Sequence, residues 1–347
     1  MFVLNRWYVA GWSKELTDKP LARTLLDEPV VLFRTQDGRA VALEDRCCHR
    51  NLPLSQGRAE GNTIACGYHG MVYEPGGRCI KVPGQDVIPA NACVRSFPVV
   101  ERDAIVWLWP GDPGKADIAQ IPDYPIHGDP LWAHQTDHYI INGNYELIND
   151  NLIDLSHVGY VHGKTIGGTP EAHSDANIKT ERTSDGVMVR RWMPGSVPPP
   201  TYVRAVGFEG LIDRWMEISF IPGLVRIYIG ANDVGLGLDE SGRMDKLGIR
   251  IFNGITPETS TSTHYFWSAA HNFKVNQPEV TTAFHGEIAA TFEEDRVVVE
   301  AQQQRFSQFP NRRTVLIKSD AGGIHARRVI AEMLAGEAQA ASRHAQT

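Results

Sequence analysis

From Pro29 to about Pro110 the apolar residues come in short runs, PVVLFR, AVALED, TIACGY and AIVWLW, separated by turn signals such as Asp37-Gly38 and Gly76-Gly77. Runs of that length predict a small all-β domain. The stretch from Gly111 to Pro130, GDPGKADIAQIPDYPIHGDP, is rich in Gly, Pro and Asp and has little periodicity, so it reads as a linker. Beyond it, TYVRAV, RWMEISFIP, VRIYIGAN, GIRIFNGI and STSTHYFWSAA are apolar or alternating runs of strand length, as in an antiparallel sheet packed on one face. Glu279 to Ser307 has no proline, one glycine and apolar residues at helical spacing, and Ala321 to Ala340 is a second good helix former. The pattern therefore predicts an α+β chain of two domains, 1–115 all-β and 116–347 a sheet flanked by helices. A polar tail after Glu337 is expected to fray.

A length of 347 residues suits two cores, and 42% hydrophobic with 22% charged residues describes an ordinary globular chain. A net charge of -7 leaves no basic footprint, which argues against nucleic acid or an anionic membrane surface as partner. The N-terminal MFVLNRWYVAGWSKEL places Arg6 inside its apolar run and lacks the marks of a secretion signal, and no apolar stretch approaches the roughly 20 residues of a membrane span. A cytoplasmic location is expected. The five cysteines, Cys47, Cys48, Cys66, Cys79 and Cys93, lie in the first third; an odd count in a reducing compartment suits metal ligation better than disulfides.

Cys47-Cys48-His49 and, sixteen residues on, Cys66-Gly67-Tyr68-His69 form C-x-H and C-x-x-H at two turns between short strands. Each loop offers one thiolate and one imidazole. A Rieske [2Fe-2S] centre uses this set, two cysteines on one iron and two histidines on the other. Zinc also accepts two Cys and two His, but zinc modules usually pair C-x-x-C with a histidine pair, whereas here each loop supplies one of each kind. Cys79 and Cys93 are expected to be small buried residues rather than ligands.

In the second half, Asn149 to His162, NDNLIDLSHVGYVH, packs two histidines and several polar groups into an otherwise apolar helical stretch. Five residues turn about 140° around an ideal helix, so His157 and His162 reach one ion only if the helix ends or distorts, as Gly159 and Gly163 permit. Two histidines and a carboxylate are the ligand face of oxygen-activating iron(II).

These residues resemble the Rieske non-heme iron oxygenases. Their first motif reads C-x-H-x16-C-x-x-H with Arg after the first His, here Arg50; many relatives have Pro where this chain has Cys48. A second motif, D-x-x-H-x4-H, matches Asp154, His157 and His162, and a carboxylate follows far downstream on a long helix, here in FEEDRV from Phe292 to Val297. The RWYVAGW start and the TPET and HYFW segments between Thr256 and Trp267 extend the likeness over essentially the whole chain.

The resemblance implies cluster ligands Cys47, His49, Cys66 and His69, and a catalytic iron on His157, His162 and Asp295, with Glu293 and Glu294 left as solvated helix charges. It implies that Asp154 bridges a cluster histidine of a neighbouring subunit to His157 in a homotrimer, and that Asn151 approaches the iron through a water, although a surface or capping Asn reads nearly as well. It also implies a catalytic domain of helix-grip-like fold. The likeness is strongest to the shorter monooxygenases of the vanillate O-demethylase, dicamba O-demethylase and toluenesulfonate methyl-monooxygenase kind. Their implied reaction inserts one oxygen atom of O2 into a methyl or methoxy group of an aromatic acid, driven by NADH through a separate flavin and iron-sulfur reductase. A methoxy substrate would release formaldehyde.

Asn232, Asn253, His264 and Trp267 fall on strands that could line a substrate pocket, with packing on the sheet an equal reading. Asn253 stands where the dicamba enzyme uses a His on its substrate. A methyl-bearing or N-methyl ring is the second substrate class. Two other readings are an electron carrier with an appended binding domain, which leaves Asp154, His157, His162 and Asp295 without a task, and a colourless zinc-stabilised binding protein.

Overall fold

The computed structural model describes residues 1–163, 166, 173, 176–235 and 246–344. They divide into two compact units, Met1–Tyr124 with Thr256–Ser260, and Pro125–Ile255 with Thr261–Thr347. Where the linker pattern suggested a boundary at 115, the chain stays with the first unit to Tyr124. Hydrogen bonds explain it: Trp7 Nε1 donates to the Asp117 carbonyl (2.9 Å), Arg102 to that of Ile121 (2.9 Å), and the Tyr124 amide to Asp103 (2.8 Å).

The first unit is all-β. β1 (Tyr8–Trp12) pairs with β11 (Ile105–Leu108), and β11 with β10 (Val99–Arg102). A second sheet runs β2 (Leu21–Leu25), β3 (Glu28–Arg34), β4 (Ala40–Glu44), β9 (Ser96–Phe97). The third runs β5 (Arg58–Glu60), β6 (Thr63–Ala65), β7 (Val72–Tyr73), β8 (Cys79–Lys81). The predicted runs supply β3, β4, β6 and β11. Val31, Phe33, Leu43, Ile64 and Tyr73 pack one core under the two cysteine loops, all fully buried.

The second unit is built on a seven-stranded antiparallel sheet in the order β12 (Ala133–Ile141), β18 (Thr263–His271), β17 (Leu247–Pro257), β16 (Leu224–Asp233), β15 (Ile212–Ile221), β14 (Val187–Ser196), β13 (Asn177–Arg182). TYVRAV is not one of its strands. It forms helix α3 (Pro200–Val206), entered through Pro200, whose fixed φ suits a first turn, and closed by Gly207 at φ 71°. β-branched and aromatic residues favoured a strand there, and the two end signals overrode them.

Where the histidine-bearing stretch was expected to run on as one helix, it breaks. Helix α1 (Tyr145–Ile153) stops at Asp154, which is extended (φ -102°, ψ 100°). A 3-10 turn, Leu155–His157, leads into α2 (Val158–Val161), and His162 caps α2 at φ -107°, ψ 23°. The break falls at Asp154 rather than at a glycine because its carboxylate accepts from the Ser156 amide (2.8 Å) and hydroxyl (2.9 Å), capping a new start.

Two long helices follow, α4 (Pro278–Gln308) and α5 (Ala321–His344). Instead of fraying after Glu337, α5 continues to His344; residues 345–347 lie outside the described residues. On α4 the buried positions are Thr281, Phe284, Ile288, Thr291, Phe292, Asp295 and Val299, one stripe at helical spacing. Asp295 is its only charge. Arg327 on α5 ties down α1 through Glu146 (2.5 Å) and Asp150 (2.6 Å).

Across the sheet, Gly230 on β16 faces Trp215 on β15, which stacks on Trp192 of β14 (5.7 Å between rings). A Cβ at Gly230 would lie 2.1 Å from the indole. Gly230→Ala is expected to lower unfolding stability by about 1–3 kcal/mol, the cost of overpacking a core, read from the urea midpoint. An unchanged midpoint would show that the indole moves freely.

Candidate metal centres

The two cysteine loops share one construction. The Cys47 amide donates to the Leu52 carbonyl and the Cys66 amide to that of Met71, both at 2.8 Å. The Cys47 carbonyl accepts from the Asn51 amide (3.0 Å) and that of Cys66 from the Gly70 amide (3.1 Å). Asn51 and Gly70, the matching residues, both take positive φ, 58° and 70°. Equivalent loops thus hold Cys47 and Cys66 in equivalent positions.

Cys47 and Cys66 are 3% and 1% exposed, while His49 and His69 are at the surface with ring centroids 4.6 Å apart. Burial pushes the Cys47 thiol up, but hydrogen bonds from Tyr73 and the His49 amide bring it below the ordinary thiol value; burial dominates at Cys66 and raises it. Two buried sulfurs and two exposed imidazoles on a pair of like loops make up the donor set of a Rieske [2Fe-2S] cluster. The residues fit that group. Of the remaining thiols, Cys79 is buried and donates to the Lys81 carbonyl, whereas Cys93, expected to be buried, is exposed.

In the second unit, His157, His162 and Asp295 bring one ligand atom each within 4.8 Å of one another. Asp295 Oδ1 lies 3.1 Å from His162 Nε2 and 3.4 Å from His157 Nε2. Each Nδ1 is occupied on the far side, at His157 by the Asp154 carbonyl and at His162 by Glu294 Oε2, both 2.7 Å. Those acceptors hold the protons on Nδ1 and leave both Nε2 lone pairs aimed beside Asp295. This geometry fits a two-histidine, one-carboxylate iron site with open positions.

Burial opposes charge on Asp295, yet both imidazoles hold its carboxyl down to about 2; burial also opposes charge on His162, and Asp295 and Glu294 lift it above the ordinary imidazole value. The site is electronegative. Asn151 Nδ2 donates to Asp295 Oδ1 (2.9 Å), so it steadies the carboxylate directly.

Glu294 was expected to be a solvated helix charge and is not. Successive residues of α4 grip the two nitrogens of one ring. Glu293 does remain outside, paired with Arg296. Glu294→Gln is expected to weaken iron(II) binding by about 10–100-fold, the usual cost of losing a carboxylate behind a metal-bound imidazole, while Glu293→Gln changes it little. Equal affinities in a metal titration would remove Glu294 from the site.

Two family models match the chain, "Rieske [2Fe-2S] domain" over residues 6–98 and "Vanillate O-demethylase oxygenase C-terminal domain" over residues 141–336. The chain belongs to the Rieske non-heme iron oxygenases. It is 41% identical over 340 residues to the putative toluene-4-sulfonate monooxygenase iron-sulfur subunit TsaM2 of Comamonas testosteroni (97% of this chain, 98% of the relative). It is 37% identical over 347 residues to a vanillate O-demethylase oxygenase subunit of a Pseudomonas species (98% and 97%). Dicamba monooxygenase bound to 3,6-dichlorosalicylic acid superposes with a TM-score of 0.91 at 34% identity, covering 97% of this chain and 99% of that one. The cofactors are those of the family, a Rieske cluster and a mononuclear iron.

The sheet of this Rieske oxygenase sorts the four pocket candidates onto two faces. Asn253 and Trp267 face the iron side: the Tyr265 hydroxyl donates to Asn253 Oδ1 (2.8 Å), and Tyr265 and Trp267 both pack on Phe292 of α4. Asn232 and His264 fall on the opposite face by strand alternation. There Asn232 accepts from the Lys246 amide (2.8 Å) and His264 Nδ1 meets His138 Nε2 at 3.0 Å. A cleft of about 860 Å³ opens at His157, lined in part by Asp154, His157, His173, Val189 and Arg191. Sequence reasoning missed Arg191, which is 2% exposed, donates to the His173 carbonyl (2.8 Å) and lies 4.0 Å from Asp154. Among the described residues no helix is long and apolar enough to cross a membrane.

Proposed function

We propose that this chain is the oxygenase component of a demethylating system, inserting one oxygen atom into a methyl or methoxy group of an aromatic acid. The observation that carries the reading is the meeting of His157, His162 and Asp295 in a chain that also holds the cysteine loops. An electron carrier has no use for such a site. The iron, when bound, activates dioxygen and draws its electrons from the cluster.

For a methoxy substrate, ArOCH3, O2, two electrons and two protons give ArOH, formaldehyde and water, the hydroxylated methyl collapsing as a hemiacetal. The residues of the chain fix and exclude: Asp154 and Glu294 orient the imidazoles, Asn151 steadies Asp295, and Trp267 and Phe292 close the sheet side with apolar surface. Arg191 supports an acidic substrate, because it is a buried cation whose nearest carboxylate among the described residues is 4.0 Å away. Asp154 has a side chain 23% exposed in the cleft beside His157, which supports its role as bridge to a cluster histidine of a second copy in a trimer. A separate NADH-dependent flavin and iron-sulfur reductase completes the system.

The test is to purify the chain anaerobically, add a generic reductase and NADH, and assay methoxylated aromatic acids. Formaldehyde released in step with oxygen consumed is expected. Oxygen consumption without formaldehyde from every methoxy acid would move the reading to other methyl-bearing or N-methyl rings, and no oxygen consumption would return it to a carrier.

A further inference from the structure

Two arginines lie buried on one face of the catalytic sheet. Arg191 on β14 and Arg214 on β15 are each 2% exposed, and the Nε of each is buried without a hydrogen-bond partner. Arg191 sits opposite Met216 and Arg214 opposite Met193, so the two are diagonal neighbours, about 7–8 Å apart at the backbone. Asp154 after α1 and Tyr202 of α3 meet them from the helix side.

The other face of the same strands is balanced. There Arg190 pairs with Glu181 (2.5 Å) and Glu217 (3.4 Å), and Asp213 accepts from the Gly195 and Gly235 amides (2.9 and 3.1 Å). Strand alternation thus turns both acids of β15, Asp213 and Glu217, away from the buried cations.

On the inner face the charges do not balance. Arg191 Nη1 is 4.0 Å from Asp154 Oδ1, longer than a hydrogen bond, and its Nη2 donates to a neutral group, the His173 carbonyl. Arg214 forms no ion pair among the described residues; its guanidinium lies over the Tyr202 ring, 5.1 Å from the centroid. An aromatic face attracts a cation but carries no net charge. Burial lowers the Arg191 guanidinium below its ordinary value; Asp154 opposes that and Arg214 adds to it, so the two cations feel each other. Two positive charges against one carboxylate leave one positive charge over, and an uncompensated buried charge is strongly unfavourable.

We propose that Arg191 and Arg214 together seat the singly charged acid group of the aromatic substrate, a carboxylate or sulfonate, with the ring reaching along the cleft toward His157. Guanidinium groups present forked N–H donors that match the paired oxygens of such an anion. Arg191 lines the cleft that also holds His157, and Arg214 supplies the charge that Arg191 shares with Asp154. This inference rests on the aromatic-acid reading and adds the residues that select the acid.

The test is calorimetric titration of the full-length holoprotein, kept anaerobic and without reductase, with benzoate, benzenesulfonate and benzamide. The wild type is expected to bind both anions at least about tenfold tighter than benzamide, the cost of removing one charge-assisted hydrogen bond or more. Arg214→Met should weaken both anions by about 10–100-fold and leave benzamide unchanged, and Arg191→Met should act in the same direction.

Equal wild-type affinities for benzoate and benzamide, or no binding of either anion, would overturn the proposal. So would unchanged anion affinity in Arg214→Met, or a parallel loss for anions and benzamide, which marks a structural residue. Where Arg214→Met does not fold, Arg214→Lys keeps the charge and loses the fork; an anion affinity equal to wild type in that variant rejects the seat. None of the probes carries a methyl group, so absent formaldehyde release leaves this test standing, and a failed seat leaves demethylation of neutral rings open.

Discussion

Asp295→Ala is expected to yield a red-brown protein with an intact Rieske spectrum, no mononuclear iron and turnover reduced by more than about 100-fold, beyond the cost of losing a residue behind a ligand. Asp295 is the only charged member of the buried stripe of α4, and a lone buried carboxylate is costly unless partnered. Its partners are the two Nε2 atoms and the Asn151 amide. Alanine leaves two neutral imidazoles and no anion to hold a hard dication. Iron analysis should fall from about three to about two atoms per chain, the two belonging to the cluster. Turnover within tenfold of wild type would sink the assignment.

Cys47→Ser is expected to abolish the visible absorption of the cluster, whereas Cys48→Ser retains it. Adjacent cysteines make the sequence ambiguous here, and the loop construction favours the first. Cys47 bonds to Leu52 and Asn51 as Cys66 bonds to Met71 and Gly70, so Cys47 is the loop equivalent of the buried Cys66. Cys48 is only half-buried and has no counterpart of these loop bonds. Serine binds iron more weakly than a thiolate, being harder and largely protonated at neutral pH. Absorption lost in the Cys48 variant and kept in the Cys47 variant would reverse the register.

The candidate ligand positions are legible in the sequence because their spacing is dictated by short loops and one helical turn. Asp295 is legible in a second way: it falls in step with Phe284, Ile288, Phe292 and Val299, while Glu293 does not. Glu294 was misjudged because adjacency on a helix says nothing of how far a neighbouring ring reaches. TYVRAV carried its helix ends, Pro200 and Gly207, but propensity outweighed them in the reading. β12 and β13 give little signal in the sequence: AHQTDHYII and NIKTER are half-buried or exposed edge strands with weak apolar alternation. Asn232 and His264 show the limit of strand-level placement, since a shift of one residue sends a side chain to the other face.

The single turn α2 has a consequence for local opening. Four residues make no stable helix alone, so Val158–Val161 depends on what holds its two ends. Those ends are His157 and His162, and both reach α4 through Asp295. Metal affinity and the order of this turn are then linked quantities, and iron that binds only the closed turn slows its opening in proportion to its occupancy. Amide exchange at Val158–Val161 should slow on iron loading and quicken on chelation, and equal rates would mean that packing alone holds the turn.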